Sequence, residues 1–214
     1  MIDKNNLISI GAALLTGAIL QVAPISSAHA DEAFTITNGE LTRPTGYREW
    51  VYVGTPVTPN DMNNGKAAFP ELHNVYIDPE SWAQWKTEGT FRDGTILIKE
   101  LVSVGSKAAV SGQGYFMGEF IGLEATIKSK EHFPKDAGNW GYYSFSGKNH
   151  KTLSETAKPF PAASCNACHA AAAADDFVFT QYYPVLSQGK GMGIKATGGH
   201  VSDLKNSYIE PKAE

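Results

Sequence analysis

The chain has only two cysteines in 214 residues. That is too few for a disulfide framework, and a zinc site built on one cysteine pair would need two more ligands at matching spacing. Charge of one sign is also missing. Eighteen Lys and Arg stand against twenty-two Asp and Glu, for a net charge of −4. This argues against a nucleic-acid footprint and singles out no charged partner. Internal repeats and low-complexity blocks are absent. Apart from one stretch at the start, no apolar run is long enough to span a bilayer.

That first stretch reads as an address. Lys4 stands in a short polar start, and an apolar run from Leu7 to Leu20 follows. It ends at Ala28-His29-Ala30, a small-x-small cleavage pattern before Asp31. The alternative, a retained anchor, is weakened by Gln21, Pro24, Ser26 and Ser27, which interrupt the run. The expectation is an exported protein with residues 1–30 as signal peptide, one domain over 31–186 and a flexible tail over 187–214. The tail reading rests on Gly, Lys, Ser and Asn with few large apolar residues.

An exported protein could join its two cysteines. Their spacing points elsewhere: Cys165 and Cys168 lie three apart, and His169 follows at once. No βαβ pattern precedes them, as a thioredoxin-type pair would require. C-x-x-C-H is the attachment sequence of c-type haem. Two thiols one helical turn apart can each form a thioether to a haem vinyl group, with the adjacent imidazole as iron ligand.

The rest of the chain reads as α+β, an antiparallel sheet with flanking helices. Strands are predicted around 75–77, 95–104, 115–127 and 139–145, with a strand or short amphipathic start at 47–53. Asp78 and Pro79 open a helix that Gly89 ends. An alanine-rich helix over about 164–174 carries the haem motif. Met192, in a Gly-flanked stretch, makes a poor fixed second axial ligand, and Met62 and Met117 read as core packing. His73, His132, His150 and His200 could ligate iron, though each alone reads as surface or hydrogen-bonded. An open iron site is therefore expected, and with it binding or chemistry on a small molecule.

Lys99 stands out. It shares a strand face with Leu97 and Leu101, while Ile96, Ile98, Glu100, Val102 and Val104 share the other. Both faces are apolar, so the strand is central, and a lysine there is costly to bury. Either it reaches the sheet edge or pairs with a carboxylate, or it is an amine with lowered pKa held beside the haem. In the next strand Phe116, Gly118, Phe120, Gly122 and Glu124 share a face by alternation. The two glycines leave room for a flat group, or mark a bulge. Phe69 and Phe160 are candidate pocket walls, with core packing as their alternative.

These residues, taken in order, resemble the cytochrome P-460 family. The likeness runs through Tyr47-Arg48-Glu49-Trp50-Val51, Val57-Thr58-Pro59-Asn60, Val75-Tyr76-Ile77-Asp78-Pro79 and Phe91-Arg92-Asp93-Gly94-Thr95. It continues through Lys99-Glu100-Leu101-Val102, Gly114-Tyr115-Phe116-Met117-Gly118, Gly122-Leu123-Glu124-Ala125, Gly138-Asn139-Trp140 and the haem motif. The resemblance implies a periplasmic, homodimeric, mostly β protein with one covalent haem c on five-coordinate iron, His169 being the metal ligand. It implies that Lys99 is cross-linked to the haem, beyond the thioethers of Cys165 and Cys168. The implied activity is oxidation of hydroxylamine, giving nitrous oxide, or NO that becomes nitrite, with electrons passing to an acceptor such as a small cytochrome c. Phe69, Phe116, Gly118 and Gly122 are expected around the cofactor. Glu124 is a candidate proton acceptor, with Glu155 as the other carboxylate considered. The alternative is an NO-binding or NO-scavenging protein similar to cytochrome c′-beta, without hydroxylamine turnover.

Overall fold

The computed structural model describes residues 33–147 and 152–191. Its strands are β1 (Ile36–Thr37), β2 (Glu40–Thr42), β3 (Val51–Gly54) and β4 (Leu72–Ile77), after which comes helix α1 (Pro79–Glu88). β5 (Ile96–Val104), β6 (Ala108–Ala109), β7 (Gly112–Gln113), β8 (Met117–Lys128), β9 (Trp140–Ser144) and β10 (Thr156–Ala157) precede helices α2 (Ala162–Ala172) and α3 (Pro184–Gly189). The architecture is α+β, and among the described residues all strand pairings are antiparallel.

β5 is the centre of a five-stranded sheet ordered β3-β4-β5-β8-β9. Its two apolar faces feed two separate clusters. Ile96 and Ile98 pack with Leu123, Ala125, Ile127, Tyr143 and Phe145. Leu97 packs on the opposite side with Val75, Ile77, Trp85, Phe91, Trp140 and Tyr142. The small β1-β2-β10 sheet covers the first face through Leu41 and Ala157. Helices α1 and α3 cover the second, where buried Trp85 stacks on Phe91 with ring centroids 4.3 Å apart and donates from Nε1 to the Leu186 carbonyl at 2.8 Å. Chain alternation at β5 thus dictates the layering.

Asp78 caps α1 as its sequence suggests. Its carboxylate accepts from the Ser81 amide at 2.9 Å, from the Ile96 amide at 3.0 Å and from Arg92 at 3.2 Å. Pro79 takes the first turn, and Gly89 ends the helix in the left-handed region at φ 71°. One buried carboxylate therefore ties a helix start to the entry of β5.

The structure corrects several expectations. Residues 47–49 form a single 3-10 turn before β3. β8 begins at Met117, after the β6–β7 hairpin. Met62 and Met117 are exposed rather than core. α3 continues through Ser187 to Gly189, and the Gly191 amide donates to the Trp85 carbonyl at 3.1 Å, within the stretch expected as tail. The rest of that stretch, the expected signal peptide over 1–30, His150 and His200 lie outside the described residues. Residues 146–158, unassigned from sequence, include a bridge between Ser146 and Leu153 and the short β10.

Buried phenols make the fold sensitive to base. Tyr143 is 2 % exposed, and burial raises its pKa from 10.0 to about 12. A raised acid binds more protons folded than unfolded between those values, so its stabilising contribution is intact below pH 10 and lost as pH climbs to about 12. Denaturation midpoints measured from pH 9 to 12 should fall with pH, and Tyr143→Phe should flatten the decline. An unchanged slope in the variant would contradict this.

Candidate haem site

The site is built on the Leu97 face of the sheet. Register sets Val75, Lys99, Glu124 and Ser144 in one row across β4, β5, β8 and β9. Residues opposite each other in an antiparallel pair point the same way. Lys99 Nζ accordingly meets Glu124 Oε2 at 2.6 Å, and both side chains are partly exposed. The next row toward the cluster holds Ile77, Leu97, Thr126 and Tyr142. The next row the other way holds His73, Leu101 and Gly122. Phe69 stands beside the central row, its ring centroid 5.7 Å from Lys99 Nζ.

α2 brings the haem motif to this face. Asn166, buried between the two cysteines, accepts from the Tyr142 hydroxyl at 2.8 Å. Cys165 and Cys168 both carry free thiols, Cys165 partly buried and Cys168 exposed. Burial pushes the Cys165 thiol up, and the Glu124 charge adds to this while Lys99 opposes it. The motif and the Lys99–Glu124 row are therefore electrostatic neighbours, although about seventy residues separate Lys99 from His169.

His169 is held on three sides. Its ring packs between Tyr142 and Phe179, at centroid distances of 4.8 and 4.7 Å. Nδ1 lies 2.6 Å from the Phe177 carbonyl. A carbonyl only accepts, so Nδ1 carries the proton and the Nε2 lone pair is free. Burial lowers the His169 pKa, the Phe177 carbonyl opposes that, and Lys99 lowers it further. The carbonyl is presented by a strained turn, in which Asp176 and Phe177 take φ 41° and 63°, rare values for side chains of this size. Asp176 is anchored by Lys128 at 2.9 Å and by Trp140 Nε1 at 3.3 Å.

This donor set fits a covalent haem. There are two free thiols one turn apart, a neutral imidazole with its outer nitrogen already committed, and an amine and a carboxylate on the facing sheet. Phe69, Lys99, Glu124, Cys165, Cys168 and His169 come together. Phe116 and Gly118 do not. Met117 pairs with Val104, five residues along β5 from Lys99, roughly 17 Å away at strand rise. Two register shifts, between Leu101 and Val102 and between Val102 and Val104, break the alternation assumed for β8. Phe120 consequently pairs with Val102 and lies 5.9 Å from the guanidinium of Arg48, which binds Glu100 on the opposite face. Gly118 packs on Ser103 and the backbone of Gly105. Gly122 keeps the expected face, but Ser146 Oγ fills the room over it. The glycines mark bulged, closely packed backbone and leave no slot for a flat group.

Glu155 is not the site carboxylate. It is exposed and paired with Arg43 at 2.6 Å, beside the small sheet on the other face. Sequence reasoning missed Tyr142, Asn166, Phe177 and Phe179. Only the alternation of Tyr142 in its strand could have flagged any of them.

A model of one family, described as Cytochrome P460, matches residues 44–180. No curated protein matches the chain.

The Tyr142–Asn166 bond locks the haem-motif helix to the sheet. Tyr142→Phe strips a buried amide oxygen of its donor, which costs about 1–3 kcal/mol. In denaturant titrations the double variant with Asn166→Ala should cost less than the two single changes summed. Simple additivity would show that the two side chains act independently.

Proposed function

The chain belongs to the cytochrome P460 family of haem proteins, and from that premise we propose that it is a mono-haem enzyme oxidising hydroxylamine. Members of the family include hydroxylamine-oxidising oxidoreductases. The observation that carries the reading is the Lys99–Glu124 pair at 2.6 Å, on the sheet face against which the haem motif packs. Cys165 and Cys168 would hold the haem through thioethers, and His169 Nε2 would bind its iron. When bound, the haem supplies the binding site for the substrate nitrogen and the sink for its electrons.

The chain's own residues supply the rest. The Phe177 carbonyl, accepting from His169 Nδ1, fixes the imidazole's orientation and makes it a stronger donor. Lys99 offers a nitrogen for a bond to the haem rim. That bond replaces one N–H and one C–H with N–C, so its formation needs a two-electron oxidant. Glu124, next to that nitrogen, is the acceptor for protons leaving the substrate. The Phe69 ring, 5.7 Å from Lys99 Nζ, adds a cation–π contact to the amine. The reading includes export to the periplasm, a homodimer and a small cytochrome-type electron acceptor. A second reading, NO binding without turnover, draws on the same ion pair, which engages the amine with a carboxylate.

One mass spectrum and one assay separate the two. The proteolysed holoprotein should yield a haem peptide joining the Lys99 segment to the Cys165–Cys168 segment. Lys99→Ala should keep the haem thioether-bound while abolishing hydroxylamine oxidation. Glu124→Gln should keep the cross-link and slow turnover by about 10²–10⁴-fold. A wild-type haem peptide without the Lys99 segment, together with an ordinary c-haem spectrum, would sink the enzyme reading in favour of NO binding.

A further inference from the structure

His73 is the least satisfied polar group near the site. It pairs with Leu101 in the row next to Lys99, and its ring centroid is 6.3 Å from that of Phe69. Only 14 % of its side chain is exposed. Nε2 lies 3.3 Å from Glu71 Oε1, within reach of a proton transfer, but outside the alignment of a formed hydrogen bond. Buried polar atoms are seldom left this way.

Glu71 in turn lines a cavity of about 350 Å³, together with Pro59, Asn60, Ser103, Lys107 and Tyr115. Asn60 and Lys107 are exposed, so the cavity opens to solvent. The Lys99–Glu124 row, His73 in the adjacent row, and Glu71 at the edge of the cavity therefore succeed one another toward solvent.

We propose that His73 and Glu71 form a proton path between the Lys99–Glu124 row and this cavity. The inference rests on the haem-site reading above. Oxidation of a substrate bearing N–H and O–H bonds releases protons as well as electrons, and protons left inside would block the next turnover. His73 takes a proton at Nδ1 and gives up the one on Nε2 to the Glu71 carboxylate. Glu71 passes it to water in the cavity, and tautomer exchange resets the ring. No electron moves in this path, and every proton that enters leaves.

The electrostatics suit the role. Burial and then the Lys99 charge hold His73 below its ordinary value of 6.5, while the Glu71 and Glu124 carboxylates pull the other way. The ring is neutral near pH 7 and ready to accept a proton.

Cyanide binding to the ferric holoprotein tests the path without turnover, because hydrogen cyanide must lose a proton as it binds. The association rate in the wild type should show an acid limb displaced below the ordinary histidine range, where His73 is occupied by a proton. His73→Gln and Glu71→Gln should each slow binding about tenfold or more at neutral pH, with an unaltered ferric spectrum. The acid limb should vanish in His73→Gln, and Glu71→Asp should recover part of the rate. Unchanged rates in both Gln variants would overturn the proposal. So would slowing accompanied by an altered ferric spectrum, because the substitutions would then act through the haem surroundings. If the wild type fails to oxidise hydroxylamine yet shows these cyanide effects, the path stands and the enzyme reading falls.

Discussion

Lys99 and Glu124 face each other across the middle of a five-stranded sheet, and the site depends on that pairing. Each is a charged, partly exposed residue on a strand whose neighbours are buried, and each offsets the desolvation of the other. Desolvating a lone ammonium or carboxylate costs more than local contacts return, whereas a pair at 2.6 Å recovers much of the loss. The pair therefore sets two opposite charges side by side on a face otherwise lined by neutral side chains. What binds on that face meets an amine and a carboxylate at defined positions.

The haem-motif helix is brought to this row by contacts outside the motif's own chemistry. Tyr142 holds Asn166 by a hydrogen bond and packs on His169. The Phe177 carbonyl fixes the imidazole from the other side. That carbonyl is aimed by two consecutive residues in the left-handed region, a strain that the Asp176 contacts with Lys128 and Trp140 offset. The sheet's two faces divide the work. The Ile98 face is covered by the small sheet and carries the buried Glu100 with Tyr47 and Arg48. The Leu97 face carries Lys99 and Glu124 and meets the helix of the C-x-x-C-H motif.

Much of this was legible in the residues. The C-x-x-C-H spacing is a local chemical constraint, readable without a fold. Asp78, Pro79 and Gly89 bound α1 because capping is satisfied within one turn. The two-sided apolar alternation of β5 announced a central strand, and with it the anomaly of Lys99. Alternation failed at Phe120, where a bulge resets the register of β8, while Phe116 and Gly118 are set apart from the site by distance along the strand. A bulge adds a residue to one strand only, so its place depends on the partner strand and leaves no fixed mark on the period.

By itself, the order of residues determined the haem motif, the helix start at Asp78 and the core position of β5, since each follows from neighbours within a few residues. Only the tertiary structure decided that Glu124 rather than Glu155 faces Lys99. It also set His73 beside Glu71, and the Phe177 carbonyl on His169. The first and last of these are meetings of residues from different elements. Such meetings are fixed by strand register and by buried packing, which no single segment contains.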